Sequence, residues 1–324
     1  MINKKSENPS NKGGWRKYTF LPLVLLLAIF LFTIIVMGIN SRRPDQLILK
    51  DVPKNMKGAR FTLVNRALIR QMYENWLPND LFWPTVLLDN MPNFQIGELE
   101  VVRYSVRVLR DNLSRMRTTD KLDLHVEAVF TSLSNDPYKW WFPSAEGKWK
   151  TGDKKLGDYY KGLLTGKSHF YPRADNLVEL LNQYTSLMGG VNTRLINAPR
   201  DIKKTISIED QKKNVRKGGD KLVDIDIPWY RIDDNFYYAQ GIAYALNESF
   251  KAIKIDFKDV LVDKNSLKLL DKILEDFNRC NFEPLIVFNG DPDSIFANHS
   301  LNLSGIFNDA RQKINSLIVA LKQG

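Results

Sequence analysis

The chain has 324 residues, with 47 Lys and Arg against 37 Asp and Glu, three His and a single Cys, Cys280. One cysteine excludes an internal disulfide and a cysteine-built metal cluster, so the fold must be held by its apolar core. The net charge of +10 invites a nucleic-acid reading, but its distribution argues against one. Residues 1–58 hold ten basic groups against three acidic ones, whereas residues 59–324 carry 37 basic and 34 acidic groups.

The basic end surrounds the run YTFLPLVLLLAIFLFTIIVMGI, residues 18–39, which has 22 residues and no charge. Such a run is long enough to cross a bilayer as one helix. A cleaved signal peptide has a shorter apolar region and small residues at its cleavage site, which Val36 and Gly38 imitate poorly. Pro22 is expected in the first turn, and Trp15 and Tyr18 at headgroup depth. Basic groups beside a span attract anionic lipid, which explains the charge without a nucleic-acid partner. Five basic residues precede the span and five lie in residues 40–59, so the positive-inside count ties. A short leading tail before one span favours an inside N-terminus. The expected layout is a cytoplasmic basic tail (1–17), a transmembrane helix (18–39), a juxtamembrane linker (40–58) and a helical, periplasmic domain (59–324).

Within that domain the apolar spacing is helical. Asn93 is a plausible cap for a helix whose Leu99, Val102, Val106, Leu109 and Leu113 form one stripe. A polar break at 118–120 precedes a second helix over 122–133, ended by Asn135, Asp136 and Pro137, and the two are expected to pair. Residues 137–172 are rich in aromatics, Gly and Lys and read as ordered but irregular, with one short helix over 158–164. Asp175 caps a helix with Leu177, Leu180, Tyr184, Leu187, Val191 and Leu195 inward, and Gly189 and Gly190 mark a close crossing. Residues 199–227 read as a polar surface loop or a mobile lid. Asp233 or Asp234 then caps a helix with Phe236, Ala239, Ala243, Leu246, Phe250 and Ile253 buried. Further helices follow on Leu267, Leu270, Leu274 and Phe277, and on Ile306, Ala310, Ile314, Leu317 and Leu321, with one strand or an extended connector over 284–288 between them. The fold class is mainly α: one transmembrane helix, then a multi-helix domain with irregular aromatic-rich loops.

Chemistry-bearing residues are few. Asp233 and Asp234, beside Tyr230, Tyr237 and Tyr238, have the residue types of a glycan-cleaving site, an acid, a base and a sugar platform. Adjacent Asp residues opening an apolar helix are equally a cap and its dipole partner. His125, His169 and His299 lack any recognised metal spacing, and no nucleotide loop or nucleophile elbow is present, so no metal or cofactor is expected. Cys280, among Leu274, Phe277 and Phe282, reads as a small buried hydrophobe. The patches over 103–121 and 200–221 read as solvated faces. Trp140 and Trp141, with Phe142 and Trp149, are binding candidates because Trp is a frequent interface anchor. Trp229 and Tyr230 join them. Exposure decides between an anchor and a loop filling.

The blocks PWYRIDDNFYYAQGIAYAL, IKIDFKDVLVDKNSL and FANHSLNLS, with WWFPSAE, DYYKGLLTG and YPRADNL, make the chain resemble a bacterial family known as domain of unknown function 2333. The resemblance covers most of residues 70–324. It implies a bacterial inner-membrane protein with one N-terminal span and a mostly helical domain, and it carries no activity. Three readings therefore stand: an envelope scaffold or protein-binding module with a protein partner at the membrane, a glycan hydrolase using Asp233 and Asp234, and a lipid-binding domain with an apolar tunnel.

Overall fold

The computed structural model describes residues 14–49, 52–53, 56–117, 119–196, 232–284, 287–288 and 297–323. Ten α-helices account for most of them, and no strand occurs among the described residues.

The first helix, α1 (Gly14–Asn40), begins a turn before the uncharged run, so Pro22 sits inside it and not in its opening turn. The side chains of Trp15 and Tyr18 lie outside the described residues. Residues 20–40 are long and apolar enough to cross a membrane and are not buried by the rest of the protein, a character that an N-terminal signal sequence would share. Large exposed Leu, Ile and Phe side chains surround α1 on all sides. A helix apolar on every face requires an apolar solvent or a partner.

The remaining helices are α2 (Ala59–Glu74), α3 (Asn90–Val108), α4 (Leu124–Leu133), α5 (Ala145–Thr165), α6 (Ala174–Ile196), α7 (Ile232–Asp256), α8 (Lys258–Asp263), α9 (Leu267–Arg279) and α10 (His299–Lys322). The chain enters α2 through Gly58, whose φ of 80° lies in the left-handed region, without a side-chain cap of its own. The cap comes from elsewhere in the chain: the buried Asp256 carboxylate, at the end of α7, accepts the Phe61 N–H at 2.7 Å. An anion at a helix N-terminus satisfies orphan donors and meets the positive end of the dipole.

Helix α7 runs through the middle, against α2, α3, α6, α9 and α10. Its six expected inward residues, Phe236 to Ile253, are all buried. The α3–α7 crossing is so close that a Cβ on Gly97 would lie 2.2 Å from the Tyr238 carbonyl oxygen, and one on Gly241 1.9 Å from that of Phe94. Helices approach to backbone contact only where both lack side chains at the crossing. On the outer side, α5 packs on α2 and carries α4, while α6 and α10 pair across the core. Asp153 of α5 ties that layer to α2 by accepting from Arg66 at 2.8 Å and Arg70 at 3.0 Å. Cys280 is fully buried, and burial pushes its thiol up to about 12, in keeping with an inert hydrophobe.

Several expected boundaries are corrected. Helix α3 starts at Asn90 on an Asp89 cap, because Pro92 in its first turn loses no needed hydrogen bond. Asn93 lies within that first turn instead. Asp175 likewise lies one residue inside α6. Helix α4 packs chiefly on α5 and only slightly on α3. Most of the segment expected to be irregular is the 21-residue α5, capped by Ser144, which accepts the Gly147 N–H at 3.2 Å. Its glycines weaken a propensity-based reading, yet they admit neighbours: a Cβ on Gly152 would meet Ser132 at 3.3 Å, and one on Gly157 the Arg66 guanidinium at 3.0 Å. The crossing expected at Gly189 and Gly190 exists only at Gly189, against the Arg311 side chain.

Candidate functional site

The segment leaving α1 does not hang free. Residues 41–49 form an extended strap along α7 and α9, fastened by Arg43. Its guanidinium donates to Gln240 Oε1 at 2.6 Å, Asn281 Oδ1 at 3.0 Å and the Phe282 carbonyl at 3.3 Å. It also pairs with Glu283 at 3.1 Å and stands 5.6 Å from the Tyr237 ring centre. Burial lowers the Arg43 pKa from its ordinary value, and Glu283 and Tyr237 pull it back. Further along, the Tyr244 hydroxyl donates to the Asp45 carbonyl at 2.9 Å, Lys251 to Gln46 at 3.1 Å, and Leu47 and Leu49 pack on the core.

Two loops are joined to each other and, through the first, to α1. The first, residues 75–89, leads from α2 to α3 and exposes Leu81, Phe82, Trp83, Val86 and Leu87. Its 3₁₀ turn, Thr85–Leu87, touches α1, and the Trp83 and Phe32 ring centres are 6.1 Å apart. The second, residues 134–144, leads from α4 to α5. Asn79 joins the two, donating to Glu146 at 2.9 Å and lying 3.5 Å from the Lys139 carbonyl, while the Trp76 indole donates to the Pro137 carbonyl at 2.9 Å.

The aromatic candidates of the second loop separate by burial. Trp141 is 68% exposed and Phe142 88%, with Trp140 and Tyr138 also exposed. Trp149, grouped with them in sequence, belongs instead to the core of α5: it stacks edge-on against Trp76 at 4.4 Å and donates to Asn135 at 2.8 Å. Trp229 and Tyr230 lie outside the described residues, as does the polar segment 199–227.

Asp233 and Asp234 stand in the first turn of α7, beside the start of α3. Asp234 accepts the Asn93 amide at 2.7 Å, and the Asp233 carboxylate accepts the Asp234 N–H at 3.2 Å. Partial burial, and then the Asp89 charge, raise the Asp233 pKa from its ordinary value. Asp233 therefore serves the start of its own helix and Asp234 ties that start to α3, and neither lines the clefts that open near Arg103, Arg43 and Asp45. His169 is exposed, His125 half-buried, and His299 accepts the Phe288 N–H at 2.9 Å. Among the described residues no three His, Cys, Asp or Glu side chains gather as metal ligands would.

Within the basic stretch 103–121, Arg107, Arg117 and Lys121 are exposed, as a solvated face would be, whereas Arg103, Arg110 and Arg115 are engaged within the fold. Arg103 donates to the Leu133 and Asn135 carbonyls at 2.8 and 2.6 Å, and Arg110 sits 3.7 Å over the Phe130 ring. A surface cleft of about 520 Å³ opens beside it, lined by Glu100, Arg103, Tyr104, Arg107 and Phe130. Another of about 450 Å³ lies at the end of α1, between Arg42, Arg43, Met91, Phe94 and Tyr237. These are clefts of mixed polarity rather than the apolar tunnel that a lipid-binding domain requires.

Sequence reasoning passed over Arg43, whose partners lie about two hundred residues away, and loop 81–88. The signal for the loop was present: eight uncharged residues, LFWPTVLL, between Asp80 and Asp89. They have neither helical nor strand period, so no pattern template selects them. No curated protein and no solved structure matches the chain. The model of a family described as an uncharacterized protein conserved in bacteria, DUF2333, matches residues 15–324, span included, and the chain belongs to that family.

Proposed function

We propose that this is a single-span protein of the bacterial inner membrane, N-terminus inside, whose helical domain sits against the outer surface and binds a second membrane or envelope protein. The observation that carries the reading is the exposure of Trp140, Trp141 and Phe142 as one run, on a loop whose neighbours Trp76 and Trp149 are buried. Large aromatics on a polar surface are characteristic of interface anchors, since they bury much area at little entropic cost. The strap and the contact between Trp83 and Phe32 support placing that surface next to the bilayer. A partner confined to the same membrane fits it best.

The test uses the full chain in cells, with a photoreactive amino acid in place of Trp141 and, as control, in place of Lys167. A protein adduct of one discrete mass at 141, absent at 167 and lost on Trp140→Ala, is the expected result. A reporter active only in the periplasm, fused after Gly324, should be active. Cleavage of peptidoglycan by the purified protein, abolished by Asp233→Asn with Asp234→Asn, would sink the reading in favour of a hydrolase.

A further inference from the structure

Residues 81–88 contain no ionisable side chain, and five of them are large apolar groups facing outward, Phe82 at 78% exposure. A patch of this kind needs a cover. Its position beside α1 supplies one. Phe32, the ring that Trp83 meets, lies eight residues before the end of α1 at Asn40. At 1.5 Å per residue, that is about 12 Å back along the helix from its exit. Where the last residues of α1 are at the membrane surface, Trp83 is inside the acyl region. Interfacial groups enter to about 5–10 Å, so the loop tip has the depth of an inserted element.

The loop's backbone meets part of the second demand of that environment, internal partners for its polar groups, through its 3₁₀ turn. The Val86 N–H donates to the Phe82 carbonyl at 3.0 Å, Leu87 to Pro84 at 3.1 Å and Leu88 to Thr85 at 2.9 Å. The Thr85 hydroxyl donates to the Phe82 carbonyl at 3.2 Å, and Pro84, having no N–H, needs no acceptor. Asp80 and Asp89 mark the two points where the chain returns to water.

We propose that residues 81–88 form a second membrane contact, a short wedge that enters the leaflet from which α1 emerges and places Phe82, Trp83 and Leu87 among the acyl chains. The wedge deepens the reading of α1 as a retained span and rests on it. The docked strap joins the domain to α1 but leaves the pair free to tilt in the bilayer; a second contact to one side limits that tilt and gives the aromatic loop 138–142 a fixed inclination to the membrane.

The test is nitroxide depth measurement on the full chain in vesicles of phosphatidylethanolamine and phosphatidylglycerol, with single labels at Phe82→Cys, Leu87→Cys, Leu26→Cys or Lys167→Cys. Native Cys280 is fully buried and stays unlabelled, and the four labelled positions are exposed, so the fold tolerates them. Labels at 82 and 87 should collide more with oxygen and at least threefold less with a water-soluble nickel chelate than the label at 167. Aqueous behaviour at 82 and 87 with the label at 26 still buried would overturn the wedge and leave the span intact. Aqueous behaviour at 26 as well would overturn both. Labels at 82 and 87 that are immobile and shielded from both reagents would indicate contact between copies of the chain, which also overturns the wedge.

Discussion

Glu98 is fully enclosed in the α3–α7 interface, one of its carboxyl oxygens has no hydrogen-bond partner, and burial pushes its pKa from 4.5 up to about 8. The folded protein therefore holds this proton where the unfolded chain has released it. Stability from the neutral group is complete below pH about 4.5 and is lost as pH rises to about 8, a difference of roughly 4–5 kcal/mol at most. Glu98→Gln keeps the neutral shape and removes the titration. Its thermal midpoint in detergent should exceed the native one at pH 8, converge with it near pH 5 and show a flatter profile between; equal slopes would show the carboxyl to be solvated. Nothing in the sequence marks this residue, because GELEVVR reads as an ordinary helix with an exposed acid. Only tertiary packing closes over it, with Tyr244 of α7 among its neighbours.

At the scale of elements, the tightest joint is the α3–α7 crossing. Gly97→Ala or Gly241→Ala would place a methyl group into a carbonyl of the facing helix, which no rotamer relieves, so each is expected to cost about 3 kcal/mol or more. Gly190→Ala, in α6 with nothing within 4 Å, should instead stabilise by about 0.5–1 kcal/mol. Urea midpoints of the three variants check this, and similar losses at 97 and 190 would reject the crossing. The sequence showed helices well where apolar residues recur at three and four, as in α6, α7 and α10. It failed at α5, where glycines read as breakers although they are the places where Ser132 and Arg66 fit. Of the two glycines it marked for a close crossing only Gly189 has one, since a glycine's neighbour belongs to another helix and leaves no local mark. The exposed loop at 140–142 was legible as residue types; its separation from the buried Trp149 required the cap at Ser144 that starts α5.

Across the whole molecule, the strap couples α1 to the domain. Arg43→Ala leaves Gln240 Oε1, Asn281 Oδ1 and the Phe282 carbonyl without their cation, and should cost about 2–3 kcal/mol. Amide exchange over residues 41–49 should quicken by tenfold or more while the centre of α7 stays protected. Unchanged exchange would show that the strap is held by Leu47 and Leu49 instead. The long-range pairing of residue 43 with residues 240 and 281–283 explains why this part of the architecture was invisible in sequence, where the same stretch looked like a linker.

The docked strap also fixes how far the domain can travel. Nine unbound residues would extend to about 30 Å and let the domain sample a hemisphere above the membrane. Held along α7 and α9, they allow no such excursion. On the proposed reading the domain is a fixture rather than a probe on a leash, so its encounters become two-dimensional. A partner sharing the bilayer reaches it by lateral diffusion, and its affinity is then governed by surface density rather than by concentration in the surrounding fluid.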